Sequence, residues 1–131
     1  MASDTTGQSS KGARVLLVED HAQLRRILTT TLVASGYQVT AAESGDAALI
    51  LLKGGLQIDT LLSDIRMPGK IDGKQLAEWL RAARPSVAIL LQTGYSDVQT
   101  GSFAVLRKPF TPEELITRLE SLDREHLLAT P

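Results

Sequence analysis

Short apolar runs alternate along this chain with segments in which apolar residues recur at helical spacing. Continuous apolar runs are typical of strands that are covered on both faces of a sheet. Strands that alternate with helices pair in parallel through right-handed crossovers. The pattern therefore predicts an α/β fold with a doubly wound, five-stranded parallel sheet. The five predicted strands are residues 15–18, 37–42, 58–63, 87–92 and 103–107.

Local signals define the ends of the predicted helices. Ser44 and Thr111 stand directly before segments with helical spacing, where an N-cap is expected. Asp72 and Gly73 are predicted to set the turn into the third helix. Pro85 ends that helix, because the residue before a proline is disfavoured in helical conformation.

The connection between the fourth and fifth strands departs from this repeat. Only nine residues separate Thr93 from Phe103, whereas a helical crossover between parallel strands takes about a dozen or more. The fourth helix is therefore predicted to be shortened or absent, and the connection to be a mobile loop.

The composition bounds the size and organisation of the protein. With 131 residues, of which 43% are hydrophobic, the chain suits one domain with a single core. Residues 1–12 are small and polar and are predicted to be a disordered leader. Residues 13–125 are predicted to be the folded domain, and residues 126–131 a frayed C-terminal tail.

Charge and hydropathy disfavour two classes of partner. The net charge is −1 and no run rich in lysine or arginine is present, which disfavours direct binding to nucleic acid. No apolar stretch approaches the roughly 18 residues of a membrane span, and cysteine is absent, so there is no thiolate metal site. We expect a cytoplasmic protein with no membrane partner.

Four of the predicted strands end in residues with side chains suited to phosphoryl chemistry. Glu19 and Asp20 follow the first strand, Asp64 the third, Thr93 the fourth and Lys108 the fifth. In open α/β sheets, ligands bind beyond the carboxyl ends of the strands where the strand order reverses. In the order 2-1-3-4-5 this point lies between strands one and three, which Asp20 and Asp64 would flank.

Carboxylates that converge at such a point repel one another unless a cation lies among them. Mg²⁺ prefers oxygen ligands and matches an acidic cluster without histidine or cysteine. A carboxylate beside a bound metal can act as a nucleophile toward phosphorus. The ammonium of Lys108 and the hydroxyl of Thr93 could then stabilise the phosphoryl oxygens.

Five short segments, in this order, resemble response-regulator receiver domains of two-component signalling. The resemblance covers about residues 14–125. The matching segments are VLLVED (15–20), LLSDIRMPG (61–69), DG (72–73), LQTGY (91–95) and LRKPF (106–110).

The resemblance implies a flavodoxin-like receiver fold and a role for each site residue. Asp64 would receive phosphate from a phosphohistidine on a sensor histidine kinase or phosphotransfer domain. Mg²⁺ would be held by Asp20, Asp64 and the main-chain carbonyl of Arg66, with Glu19 acting through water. The other two residues, Thr93 and Lys108, would hold the phosphoryl oxygens, and the Lys108–Pro109 peptide would be cis.

The expected switch residue of the family is replaced in this chain. Receiver domains commonly carry an aromatic residue three positions before the lysine, and here that position is Val105. The Thr-Gly-Tyr segment and the short connection are similar to an atypical subgroup associated with hybrid sensor kinases. We hypothesise that Tyr95, two residues beyond Thr93, takes over the gating role.

The sequence leaves several alternatives open. Asp20 could be the N-cap of the first helix. The chain could be a pseudo-receiver, an interaction module that no longer takes up phosphate. An aspartate-nucleophile phosphatase is a further alternative, but such enzymes usually carry a second acid at the position of Arg66. The favoured interpretation is a single-domain switch or phosphate relay, whose only activities are phosphotransfer to itself and autodephosphorylation.

Overall fold

Five parallel strands form one sheet in the order β2-β1-β3-β4-β5. The computed structural model describes residues 12–94 and 101–129. The predicted α/β class, strand number and strand order are confirmed. The strands are β1 (Arg14–Val18), β2 (Gln38–Ala42), β3 (Thr60–Asp64), β4 (Ala88–Thr93) and β5 (Ala104–Arg107).

Among the described residues, four helices cover the two faces of the sheet, and each face has its own buried apolar cluster. One cluster contains residues of α2 and α3, and the other contains residues of α1 and α4. Because both faces are covered, β1, β3 and β4 are almost fully buried. The helices are α1 (Ala22–Ala34), α2 (Gly45–Lys53), α3 (Gly73–Ala83) and α4 (Pro112–Ala129).

The predicted helix caps are present. The Ser44 hydroxyl accepts a hydrogen bond from the Ala47 N–H at 3.0 Å, at the start of α2. Asp72 caps α3 in a reciprocal capping box with Gln75. The Thr111 hydroxyl accepts from the backbone N–H of Glu114 at 3.0 Å.

The described residues extend past both predicted boundaries of the folded domain. The backbone N–H of Gly12, placed in the predicted leader, donates to the Gly36 carbonyl at 2.8 Å. At the other end, α4 continues to Ala129, past the predicted boundary at 125, since residues 126–129 contain no glycine or proline that would break it.

The connection between β4 and β5 spans residues 94–103, of which the structure describes 94 and 101–103. None of these four residues is helical. The proposed gate Tyr95 lies outside the described residues. At the end of the connection, Arg81 of α3 donates to the Ser102 hydroxyl at 2.7 Å, and its guanidinium lies 4.1 Å from the centre of the Phe103 ring. The start of β5 is thereby attached to α3.

The first residue of α3 packs directly against the end of β3. The Gly73 N–H donates to the Ile65 carbonyl at 2.8 Å. A Cβ at Gly73 would overlap the carbonyl group of Asp64 and contact the Cα of Ile65 at 2.9 Å. The glycine therefore permits α3 to begin immediately beside Asp64.

We predict that Gly73→Ala lowers the free energy of unfolding by about 1–3 kcal/mol, because the added methyl group overlaps backbone rather than a side chain that could move. Gly94→Ala is the control, since a Cβ there meets no atom of the described residues within 4 Å. Thermal and denaturant unfolding measure both variants. Equal stability of Gly73→Ala and the wild type would contradict the prediction.

Candidate functional site

Three carboxylates converge at the carboxyl edge of the sheet. One carboxylate oxygen from each of Glu19, Asp20 and Asp64 lies within 4.8 Å of the other two. Asp64 is the last residue of β3, and the pairing of Val18 with Ser63 places the acids that follow β1 next to it. The structure thus brings the three predicted acids together between strands β1 and β3.

Lys108 reaches this cluster from the far side of β4. Its backbone N–H donates to the Thr93 carbonyl at 2.8 Å, and the Lys108–Pro109 peptide is cis. The ammonium Nζ lies 2.9 Å from Asp64 Oδ2 and 3.9 Å from Glu19 Oε1. One ammonium therefore contacts two of the carboxylates, and the cluster keeps an excess of negative charge.

The other predicted site residues lie around this cluster. Thr93 is the last residue of β4 and is 3% exposed. Arg66 lies in the loop after β3, two residues beyond Asp64, with an exposed side chain. Val105 lies in β5 and packs against the apolar cluster that contains α2 and α3. The roles proposed for these residues remain predictions.

Glu19 is the most buried acid of the cluster, with 1% of its surface exposed. Its Oε2 accepts a hydrogen bond from the His21 N–H at 3.1 Å, whereas its Oε1 has no hydrogen-bond partner within residues 12–94 and 101–129. Burial raises the pKa of Glu19, and the charges of Asp64 and Asp20 raise it further. The hydrogen bond from His21 and the charge of Lys108 lower this pKa and offset part of the increase.

A divalent cation fits this set of donors. The buried Glu19 Oε1 lacks a hydrogen-bond partner among the described residues, and burial together with the charges of the neighbouring acids raises the pKa of Glu19. Converging carboxylate oxygens without a histidine or cysteine ligand match the preference of Mg²⁺ rather than zinc or copper. The structure therefore contains an acidic pocket suited to Mg²⁺.

The first turn of α1 shows that Asp20 is not the N-cap of this helix. The N-cap of α1 is His21, whose Nδ1 accepts from the Leu24 N–H at 3.3 Å. Asp20 lies one residue before the cap, and one of its carboxylate oxygens lies within 4.8 Å of a carboxylate oxygen of Glu19 and of Asp64, so it belongs to the acidic pocket.

Arg25 is a site residue that the sequence analysis missed. Its guanidinium donates from Nη1 to the Glu19 carbonyl at 2.7 Å, and the same nitrogen lies 3.5 Å from the Asp20 carbonyl. The side chain therefore ties α1 to the backbone of the acid pair. Only the helical spacing of α1 could have indicated which arginine faces the strand end.

Asp46, in the first turn of α2, was also missed. Its Oδ1 accepts hydrogen bonds from the backbone N–H groups of Ile71 at 3.0 Å and Lys70 at 3.2 Å. These bonds hold the loop that leads from Asp64 to α3. In sequence, Asp46 shows only the ordinary preference for an acid at a helix N-terminus.

A family model described as the response regulator receiver domain matches residues 15–120. The match covers most of the chain and includes the acids, the threonine and the lysine of the site. The chain belongs to the response-regulator receiver domain family. Receiver domains act in two-component signalling, as the sequence resemblance implied, and they bind Mg²⁺ in their acidic pocket.

Individual relatives agree with this family. The response regulator protein FleR of Pseudomonas aeruginosa is 37% identical over 112 residues, which are 79% of this chain and 23% of FleR. The chain thus spans about a quarter of that relative.

Across the described residues, no helix is long and apolar enough to cross a membrane.

Solved receiver structures share the fold. A response regulator receiver protein from Sinorhizobium medicae superposes with a TM-score of 0.81 at 32% identity, covering 88% of this chain and 97% of that one. TrrA from Thermotoga maritima, solved in complex with Mg²⁺-BeF, gives a TM-score of 0.76 at 30% identity, with 84% and 98% covered.

We predict that Glu19→Gln stabilises the metal-free receiver domain at neutral pH. A carboxyl whose pKa is raised on folding binds more protons in the folded state, so its contribution to stability decreases as pH rises through that pKa. The glutamine is neutral at every pH. The unfolding temperature of the variant should exceed that of the wild type above the raised pKa, and the difference should vanish at low pH.

Mg²⁺ should reduce this difference in unfolding temperature. Added Mg²⁺ should raise the unfolding temperature of the wild-type domain more than that of Glu19→Gln, because a bound cation relieves the repulsion among the three acids.

In metal-free buffer, the same pH dependence of the unfolding temperature in the wild type and in Glu19→Gln would contradict the raised pKa of Glu19.

We also predict that Arg25→Ala weakens Mg²⁺ binding by about 10- to 100-fold, the usual effect of removing a group that positions metal ligands. Isothermal titration calorimetry measures the dissociation constant. Arg26→Ala removes the same charge from an exposed position of α1 and should bind Mg²⁺ as the wild type does. Unchanged or tighter binding by Arg25→Ala would show that the bonds to the carbonyls are unimportant.

Proposed function

We propose that Asp64 is the phosphoacceptor of this receiver domain, and that a sensor histidine kinase or a phosphotransfer domain donates the phosphoryl group from a phosphohistidine. The observation that carries this proposal is the position of Asp64 at the end of β3. There its carboxylate is paired with Lys108 at 2.9 Å and lies beside two further acids.

In the proposed reaction, a carboxylate oxygen of Asp64 forms the new bond to phosphorus. The bond between phosphorus and the imidazole nitrogen of the donor breaks, and its electron pair stays on that nitrogen. The product is an acyl phosphate on Asp64. The ammonium of Lys108 neutralises charge on the phosphoryl oxygens, and the hydroxyl of Thr93 donates a hydrogen bond to one of them.

Mg²⁺ would be held by Asp20, Asp64 and the main-chain carbonyl of Arg66, with Glu19 acting through water. When bound, the ion supplies positive charge that screens the acids from the incoming phosphoryl group. The bond from Arg25 to the Glu19 carbonyl keeps the acid pair in place while charge builds up at Asp64.

Hydrolysis of the acyl phosphate would return the domain to its resting state. These self-directed steps, phosphotransfer and autodephosphorylation, are the only chemistry that we propose, and they would take place in the cytoplasm. Arg66 stands at the position where aspartate-nucleophile phosphatases usually carry a second acid. A receiver that acts as a switch or a phosphate relay is therefore favoured over a phosphatase.

The output of the switch would differ from that of a receiver with an aromatic residue before the lysine. Val105 has no ring that could turn inward when Thr93 engages phosphate. We therefore propose that Tyr95, which follows Thr93 by two residues, transmits the change. As expected from the sequence, we also propose that the domain binds neither nucleic acid nor membranes directly.

The decisive experiment adds beryllofluoride and Mg²⁺ to the wild type and to Asp64→Asn, and follows the backbone amide resonances. We expect shifts at the ends of β3 and β4 in the wild type, no response in Asp64→Asn, and loss of the response when Mg²⁺ is removed. A pseudo-receiver would show no shifts in the wild type. The same response from both proteins would place the acceptor elsewhere.

A further inference from the structure

Gln92, the penultimate residue of β4, is a buried polar residue that the proposed reaction does not use. Its side chain has no exposed surface. Within the part of the chain that the structure describes, neither Nε2 nor Oε1 of its amide has a hydrogen-bond partner. A buried amide without partners costs free energy, because it has lost its hydrogen bonds to water.

Packing alone does not account for a glutamine at this position. The other interior positions of β4 are apolar and almost fully buried. A leucine or methionine at position 92 would fill similar space without the cost of an unpartnered amide. The four apolar residues that precede Gln92 in β4 are Ala88, Ile89, Leu90 and Leu91.

The register of the sheet places Gln92 between the two charged groups of the site. It is paired with Asp64 on β3 and with Leu106 on β5. Paired residues of neighbouring strands project to the same face of a sheet. Gln92 therefore projects to the same face of the sheet as Asp64 of β3. On its other side it neighbours Leu106 of β5, which precedes Lys108 by two residues.

The side-chain amide of Gln92 could replace the hydrogen bonds that Asp64 and Lys108 lose when they separate. Its N–H₂ can donate to the carboxylate of Asp64, and its carbonyl can accept from the ammonium of Lys108. In the resting structure the two charges satisfy each other at 2.9 Å. The separation of neighbouring strands is about 4.8 Å, a distance that a glutamine side chain can span.

We propose that Gln92 is a positioning residue of the phosphorylated state. When a phosphoryl group on Asp64 draws the Lys108 ammonium away from Oδ2, the Gln92 amide turns to donate to the Asp64 carboxyl oxygen and to accept from Lys108. It thereby holds the separated pair in place. This inference rests on the proposed role of Asp64 as phosphoacceptor.

The first test follows the side-chain N–H₂ resonances of Gln92 in the wild-type protein during titration with Mg²⁺ and beryllofluoride. We expect them to shift with the same midpoint as the backbone amides at the end of β3. The exposed Gln57 supplies the internal control, and its N–H₂ resonances should not move. Backbone shifts with an unmoved Gln92 overturn this inference alone, whereas no backbone shifts overturn the proposed function.

The second test compares Gln92→Met with Gln57→Met. Methionine keeps the shape of glutamine and removes its hydrogen bonds, so the unloaded Gln92→Met protein should be at least as stable as the wild type. Its affinity for beryllofluoride at saturating Mg²⁺ should fall about tenfold, as expected for a lost hydrogen bond to a charged group. Wild-type affinity in Gln92→Met would overturn the proposal, as would an affinity loss matched by Gln57→Met.

Discussion

Repulsion among three carboxylates is the constraint on which this structure depends. The parallel strands β1 and β3 end side by side, and their terminal acids lie within 4.8 Å of one another. The sheet can hold them there because Lys108 spans β4 to pair with Asp64 at 2.9 Å. Burial, together with the charges of Asp64 and Asp20, raises the pKa of Glu19, and the negative charge that remains uncompensated makes the pocket suited to a cation.

The backbone around the acids is held by contacts from three different helices. Arg25 of α1 bonds the carbonyl of Glu19, Asp46 of α2 bonds the loop after β3, and Gly73 lets α3 begin against the carbonyl of Asp64. Each helix thus contributes one group that fixes the position of an acid-bearing segment. Reactive geometry of this kind needs ligands whose supporting groups are themselves fixed.

The strands and the principal acids could be predicted from the sequence, because they depend on local pattern. A buried parallel strand consists mainly of apolar residues, and polar residues mark its carboxyl end, as Ser63 and Asp64 do in β3 and Gln92 and Thr93 do in β4. The caps at Ser44 and Thr111 are equally local. These features need no knowledge of which elements meet in space.

The missed features all depend on tertiary contacts. The bond from Arg25 to a strand-end carbonyl and that from Asp46 to a loop arise only when distant segments meet. His21 replaces Asp20 as N-cap because α1 begins one residue later than a cap at Asp20 would require. Gln92 is buried and has no hydrogen-bond partner in the part of the chain that the structure describes, and its neighbours are set by strand register, which the apolar pattern of β4 does not reveal.

The contact of Arg25 has a thermodynamic consequence beyond the site. The residue belongs to α1, but its guanidinium is bonded to the backbone of the acid pair. A binding partner that shifts or rotates α1 would therefore change the free energy of cation binding. Linkage requires the reverse as well, so loading the pocket would alter the affinity of that partner by the same factor. The helix and the acidic pocket would then form one coupled unit, in which cation binding depends on what is bound to α1.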